Sequence, residues 1–176
     1  MVISYAAEGK GGTGPSVDAV WKIAGALKAA GIPSFNGQQS TNLMLMHDTV
    51  LAKVAGKRAA CRVFVAVVTP EYVRSKPCLE ELYGAYKTSG TTVVAVCLRE
   101  PPKLHTWWSA HVERSTDESL REHVGVVARS IIAGHYTDAF SLGGAPQFFP
   151  GGGKEFVPET MGGELVGKVG GVLSAR

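Results

Sequence analysis

One six-residue stretch constrains the fold of this chain more than any other: Val63, Phe64, Val65, Ala66, Val67 and Val68 follow one another with no polar residue between them. A strand with one wet face alternates apolar and polar residues. A run that is apolar at every position and mostly β-branched suits a strand covered on both faces. It is also far shorter than the ~20 apolar residues that cross a bilayer, so it predicts a central strand and not a membrane span. Covering both faces of a sheet takes helices on both sides, which makes the expected class α/β with a mainly parallel sheet.

The rest of the chain supplies the other layers. Val2, Ile3, Ser4 and Tyr5 read as a first strand, followed by a glycine-containing loop over residues 6–14. A helix is predicted from Pro15 to about residue 30, with Val17, Val20, Trp21, Ala24 and Leu27 on one face and Gly31 as its stop. Residues 32–35 form a short second strand and residues 36–42 a polar loop, and a helix over about 43–57 turns Met46, Val50 and Val54 inward. The central strand is taken as residues 61–69. In the helix-forming segment 70–87, Ser75 is placed to cap the main helix so that Pro77 falls in its first turn, where a missing N–H costs little. Residues 92–98 read as a further buried strand. Ser115 and Glu118 have capping-box spacing ahead of another helix, a fifth strand is expected within 131–140, and a glycine-punctuated helix is expected over about 154–173.

Five β-α units within 176 residues make one domain over 1–176, and they suggest a flavodoxin-like three-layer sandwich with strand order 2-1-3-4-5. Such a sheet takes ligands outside the carboxyl ends of strands 1 and 3, where the strand order reverses. Residues 6–14 and 70–81 are therefore where function is sought.

Composition narrows the classes. A net charge of +3 with no run of like charge disfavours a nucleic-acid surface. Cys61, Cys78 and Cys97 have no CxxC or Cys/His spacing, so no metal site and a reducing, cytoplasmic setting are expected. No basic segment followed by a long apolar stretch opens the chain, and neither secretion nor membrane insertion is predicted. His47, His105, His111, His123 and His135 lack metal spacing, and Trp107 with Trp108 reads as an edge cluster on the sheet. Glycine is in excess, 22 residues of 176, and is concentrated in 9–14 and 143–171. In a final helix, Gly162, Gly163, Gly167, Gly170 and Gly171 would each cost roughly 1 kcal/mol relative to alanine, so that helix must be held by packing, close backbone contact or a partner.

The run Lys10-Gly11-Gly12-Thr13-Gly14-Pro15-Ser16 sits between a strand and a helix, as a phosphate-cradling loop does, but Pro15 occupies the place of the lysine that reaches the terminal phosphates. A mobile loop that leads into a proline-started helix fits better, with backbone N–H groups and Lys10 available to a pyrophosphate. Ser4, Ser16 and Ser75 lack a GxSxG context, which argues against a serine hydrolase.

The segment Thr69-Pro70-Glu71-Tyr72-Val73-Arg74-Ser75-Lys76-Pro77-Cys78-Leu79-Glu80-Glu81-Leu82 resembles the TIR (Toll/interleukin-1 receptor) domain pattern of a strand ending in Ser or Thr, an aromatic three residues later, then Ser and a Trp-Cys-Leu-Asp/Glu-Glu-Leu helix. Val2-Ile3-Ser4-Tyr5 is similar to the first box of that family, and Leu27 with Gly31, Ile32 and Phe35 to its helix-to-second-strand junction. Tyr136 and Asp138 echo a later strand. The resemblance is strong over 1–100 and weak over 101–176. It implies the same five-unit fold, and it implies one of two activities. Some family members cleave NAD+ and need the glutamate that here is Glu81. Others are non-catalytic adaptors that act by TIR-TIR association.

For the enzymatic reading, the chemistry makes a single carboxylate sensible. Nicotinamide leaves NAD+ as a neutral ring, so no general acid is needed, unlike ordinary glycoside cleavage. What remains is to orient the ribose and stabilise an oxocarbenium-like centre electrostatically. Water or adenine N1 then captures the sugar, giving ADP-ribose or a cyclic isomer. NAD+ is a substrate here, and no cofactor is implied. The resemblance and the loop placement together make Glu81 catalytic and put Tyr5, Glu8, Lys10, Ser75 and Cys78 against substrate. Asn36, Gly37, Gln38, Gln39 and Asn42 form the expected self-association loop, which would meet other TIR domains or a second copy of this chain.

Periodicity alone reads Glu81 differently. Leu79, Leu82, Tyr83 and Tyr86 define a core face, and Glu81 then lies opposite them as a solvated surface residue beside Pro77, Gly84 and Ala85. Two departures from the family pattern stand out. Pro77 replaces an aromatic that stacks on the nucleotide, for which Tyr5 is a substitute, and the 36–42 loop lacks the usual acidic residue and later glycine.

Overall fold

In a computed structural model of the chain, the described residues are 1–6, 14–36, 50, 61–69, 71–72, 75–88, 90–98 and 158–175. They contain three strands, β1 (Val2–Tyr5), β2 (Val63–Val68) and β3 (Thr92–Cys97), and three helices, α1 (Pro15–Ala29), α2 (Lys76–Lys87) and α3 (Pro158–Ser174). The strands form one parallel sheet in the order β1-β2-β3, with Ser4 opposite Ala66, Tyr5 opposite Val67 and Val67 opposite Val96. The class is α/β, as the uninterrupted apolar run requires. Every residue of β2 is buried.

The second strand expected over 32–35 is reduced to one parallel bridge, Phe35 with Val2, on the far side of β1 from β2. Ile3 N donates to Phe35 O at 2.8 Å and Phe35 N to Met1 O at 3.0 Å. Pro33 has no N–H to give and so shortens pairing on this side. After β1 the chain thus goes first to one side of it, at Phe35, and later to the other, at β2. The order reverses at β1. The fifth strand expected within 131–140, the helix from Ser115 and the 43–57 helix apart from Val50 lie outside the described residues; Val50 is helical and buried.

α1 begins at Pro15 and follows Gly14, whose φ of 131° is a conformation that favours glycine. It ends in a Schellman arrangement: Ile32 N donates to Leu27 O, Gly31 N donates to Lys28 O, and Gly31 holds φ 73°. Its buried stripe is Val17, Ala19, Val20, Ile23 and Leu27. Trp21, expected on that face, is 59% exposed. At 100° per residue, Val20, Ile23 and Leu27 lie within one narrow arc, and position 21 falls well outside it.

One sheet face carries Ile3, Val65, Val67, Val94 and Val96 packed against Val20, Ile23 and Leu27 of α1 and Leu165 and Val169 of α3. Strand alternation turns Val2, Ser4, Phe64 and Ala66 to the other face, where α2 lies. The sheet is therefore covered on both sides.

α3 carries the glycines that composition singled out. Gly163, Gly167, Gly170 and Gly171 have open space where a Cβ would stand, and one on Gly162 would meet Ala26 Cβ at an ordinary 3.9 Å. Close backbone approach is thus not why they are glycine. Among the described residues, the helix is held by the burial of Leu165 and Val169 and by Arg62 just before β2, whose guanidinium donates to Leu173 O, Val172 O and Ala175 O at 2.8, 3.2 and 3.0 Å. These are carbonyls a helix C-terminus leaves without intrahelical partners, and a cation is favoured there.

Candidate functional site

At the carboxyl end of the sheet, four side chains from three segments meet. Ser4 comes from β1, Tyr72 from the turn after β2, and Cys78 and Glu81 from α2. Thr69, at the end of β2, starts the turn by accepting from Tyr72 N at 3.2 Å, and Ser75 N then donates to Tyr72 O at 3.1 Å. Ser75 is the N-cap of α2 and accepts from Cys78 N at 3.4 Å, with Pro77 in the first turn as the spacing predicts.

The buried arc of α2 is Cys78, Leu79, Glu81, Leu82 and Ala85. This corrects the expectation from periodicity. Glu81 is 5% exposed and faces the sheet, Pro77 is exposed, Ala85 is buried and Tyr83 only partly so. Positions 78, 82 and 85 lie nearly in line along the helix, and position 81 is on the flank of that line, one step round from where the leucines and tyrosines alone would centre it. Glu81 meets a partner in this interface: Ser4 Oγ donates to Glu81 Oε2 at 2.6 Å, a short hydrogen bond.

The rest of the cluster closes around this pair. Tyr72 OH lies 3.2 Å from Ser4 Oγ and donates to Cys78 O at 3.2 Å, and Cys78 Sγ donates to Tyr5 O at 3.5 Å. Burial pushes the Cys78 thiol up to about 12, the negative charge of Glu81 adds to the shift, and the Ser75 hydrogen bond opposes it. Burial likewise raises the Tyr72 phenol well above its usual value, with the charges of Cys78 and Glu81 adding and Ser4 opposing. Both groups therefore stay protonated at neutral pH. Cys78 is a hydrogen-bond donor and not a nucleophile, since nucleophilic attack needs the thiolate.

The structure thus brings together Glu81, Cys78 and the Tyr5 backbone, and uses Ser75 as a helix cap. The Tyr5 ring goes elsewhere: it packs on the cluster formed with α1 and α3, on the face opposite Glu81. Asn36 directly follows the Phe35 bridge and is partly buried. Glu8, Lys10, Gly37, Gln38, Gln39 and Asn42 lie outside the described residues. Ser16, the position that would hold a metal ion in a phosphate loop, is buried and donates its hydroxyl to Ala6 O at 2.6 Å.

Sequence rules assign no site role to two residues of the cluster, Ser4 and Tyr72. A signal existed for both: a lone hydroxyl inside an apolar strand, and an aromatic three residues beyond a strand-ending threonine. A buried polar residue needs a partner, so each pointed to a polar group elsewhere in the chain.

A cavity of about 360 Å³ lies at the other end of the sheet, lined by Arg62, Gly90, Thr92, Gly171, Val172 and Ala175. Among the described residues its lining includes no acidic side chain, and it shares no residue with the Glu81 cluster. Among the described residues no group of three or more His, Cys, Asp or Glu is placed to hold a metal ion, and no helix is long and apolar enough to cross a membrane. No family model matches the chain, and no curated protein matches it.

Proposed function

We propose that this chain is a cytoplasmic TIR-type domain of flavodoxin-like architecture, strand order 2-1-3-4-5, that cleaves the nicotinamide-ribose bond of NAD+ in immune or cell-death-type signalling. One observation carries the reading. Glu81, the position the family resemblance makes essential, lies at the carboxyl end of the sheet beside β1, where the strand order reverses, and its carboxyl accepts a short hydrogen bond from the first strand. A fixed negative group at a switch point suits a reaction whose charge builds at the ribose while a neutral ring departs. Glu81 stabilises that centre and orients the hydroxyls, and protonation of the leaving group is not required.

The products are nicotinamide and ADP-ribose or a cyclic isomer. The loop with Glu8 and Lys10 contributes substrate contacts, and the 36–42 loop brings copies or other TIR domains together. With the Tyr5 ring on the opposite face, nucleotide stacking falls to another group.

The second reading, a non-catalytic adaptor acting by TIR-TIR association, draws support from the same burial. A glutamate only 5% exposed and already bonded to Ser4 is also what a structural polar contact between a strand and a helix looks like. Incubating the protein with NAD+ over a range of protein concentrations, with and without a crowding agent, and following nicotinamide by chromatography separates the two. Release that rises with protein concentration supports the enzyme, and no release at any concentration supports the adaptor.

A further inference from the structure

Among the described residues, the protons of the Ser4 and Tyr72 hydroxyls beside Glu81 can be followed. Ser4 has one hydroxyl proton, and at 2.6 Å it is committed to Glu81 Oε2. Across the 3.2 Å contact between Ser4 Oγ and Tyr72 OH only Tyr72 is then left to donate, and its single proton has two acceptors within reach, Ser4 Oγ and Cys78 O, each at 3.2 Å. Both hydroxyl dipoles can therefore point along one line, Tyr72 to Ser4 to Glu81, and each strengthens the next in a buried setting.

We propose that Ser4, backed by Tyr72, is a positioning residue of this site: it fixes the direction of the Glu81 carboxylate and holds it in its charged form. The inference deepens the NAD+ reading and rests on it for its catalytic consequence, but the hold on Glu81 is a property of the chain whether or not NAD+ is cleaved. Ser4 touches no substrate. It acts through Glu81, and it gives Glu81 the character of an electrostatic stabiliser instead of a proton donor, because a hydrogen bond donated to a carboxylate favours the ionised state. Tyr72 and Cys78 are titratable neighbours of that carboxylate, and both stay neutral at the pH of the measurement.

The test uses the whole chain with glutamate side-chain carboxyls labelled with ¹³C, the Glu81 resonance being the one that Glu81→Gln removes. In Ser4→Ala the Glu81 carboxyl should titrate at higher pH than in the wild type, Ser4→Thr should restore it, and Tyr72→Phe, which keeps the ring in place, should move it a smaller distance in the same direction. Unchanged titration in both folded Ser4→Ala and Tyr72→Phe overturns the proposal; if Ser4→Ala does not fold, Tyr72→Phe decides alone. Kinetics then read the consequence. Loss of a hydrogen bond to a charged group is about 1.5–3 kcal/mol, so Ser4→Ala should lower kcat roughly 10–100-fold with KM nearly constant, and Ser4→Thr should recover it. Should the wild type leave NAD+ intact, the enzymatic reading falls, while the titration still decides whether Ser4 holds Glu81.

Discussion

Ser4 Oγ and Glu81 Oε2, 77 positions apart in the chain, meet at 2.6 Å where the carboxyl end of β1 faces α2. That contact ties the first strand to the helix that follows the central strand, and it makes Glu81 a charge held inside an interface instead of a residue on the surface. Replacing Glu81 by Gln keeps an acceptor for Ser4 and removes the charge; replacing it by Ala leaves a buried hydroxyl without that acceptor. Alanine should therefore destabilise the fold by about 1–3 kcal/mol and glutamine by less. Urea unfolding of both variants checks the order.

The charge on Glu81 also acts on Cys78. Its removal in Glu81→Gln should lower the thiol from about 12, while burial, the larger cause, keeps it above the ordinary thiol range. The pH dependence of alkylation by a small reagent reads this shift. A thiol that titrates identically in the two proteins contradicts the arrangement.

The same shift makes stability depend on pH. A group with its native pKa raised contributes stability in full below its unfolded value, here about 9, and loses it as pH rises to about 12, because the unfolded chain gives up its proton first. Stability should fall by up to about 1.4 kcal/mol per pH unit in that window, and the raised Tyr72 phenol should steepen the fall above about pH 10. Cys78→Ala should flatten the lower part of the curve. Chemical unfolding at pH 8, 9, 10 and 11 measures it.

Much of the frame was legible in the sequence because it rests on local rules. The unbroken run in β2 announced a strand covered on both faces, Ser75 with Pro77 announced the start of α2, and Gly31 announced the end of α1. What escaped was the phase of two helices. Leu79, Leu82, Tyr83 and Tyr86 suggested a stripe that put Glu81 outside, whereas the true arc includes Cys78 and Ala85. A one-residue error in phase turns a side chain by 100°, enough to move it from core to solvent. Trp21 was misplaced in the same way. Glu81 was beyond local rules altogether, since its partner lies on a distant strand.

The phase of α1 is itself testable. Ile23→Ala should cost about 2–5 kcal/mol, as truncating a buried isoleucine does, and Trp21→Ala no more than about 0.5 kcal/mol, as for a surface position. Thermal unfolding of the pair decides which residue is inside.

A glycine within α3 and the glycine just past the end of α1 should respond in opposite directions. Gly167→Ala enters open space on an exposed helical position and should stabilise the protein by about 0.4–1 kcal/mol. Gly31→Ala forces a side chain into φ 73° and should destabilise it by about 1–2 kcal/mol. Two melting curves against the wild type test both signs.

In the proposed function, the Glu81 carboxylate held by Ser4 stabilises the ribose centre from which nicotinamide departs. The most direct measurement is nicotinamide release by concentrated wild-type protein and by Glu81→Gln, side by side, with circular dichroism confirming that both are folded. The wild type should release nicotinamide and Glu81→Gln none above background. Equal release by the two folded proteins, or none by either, would contradict it.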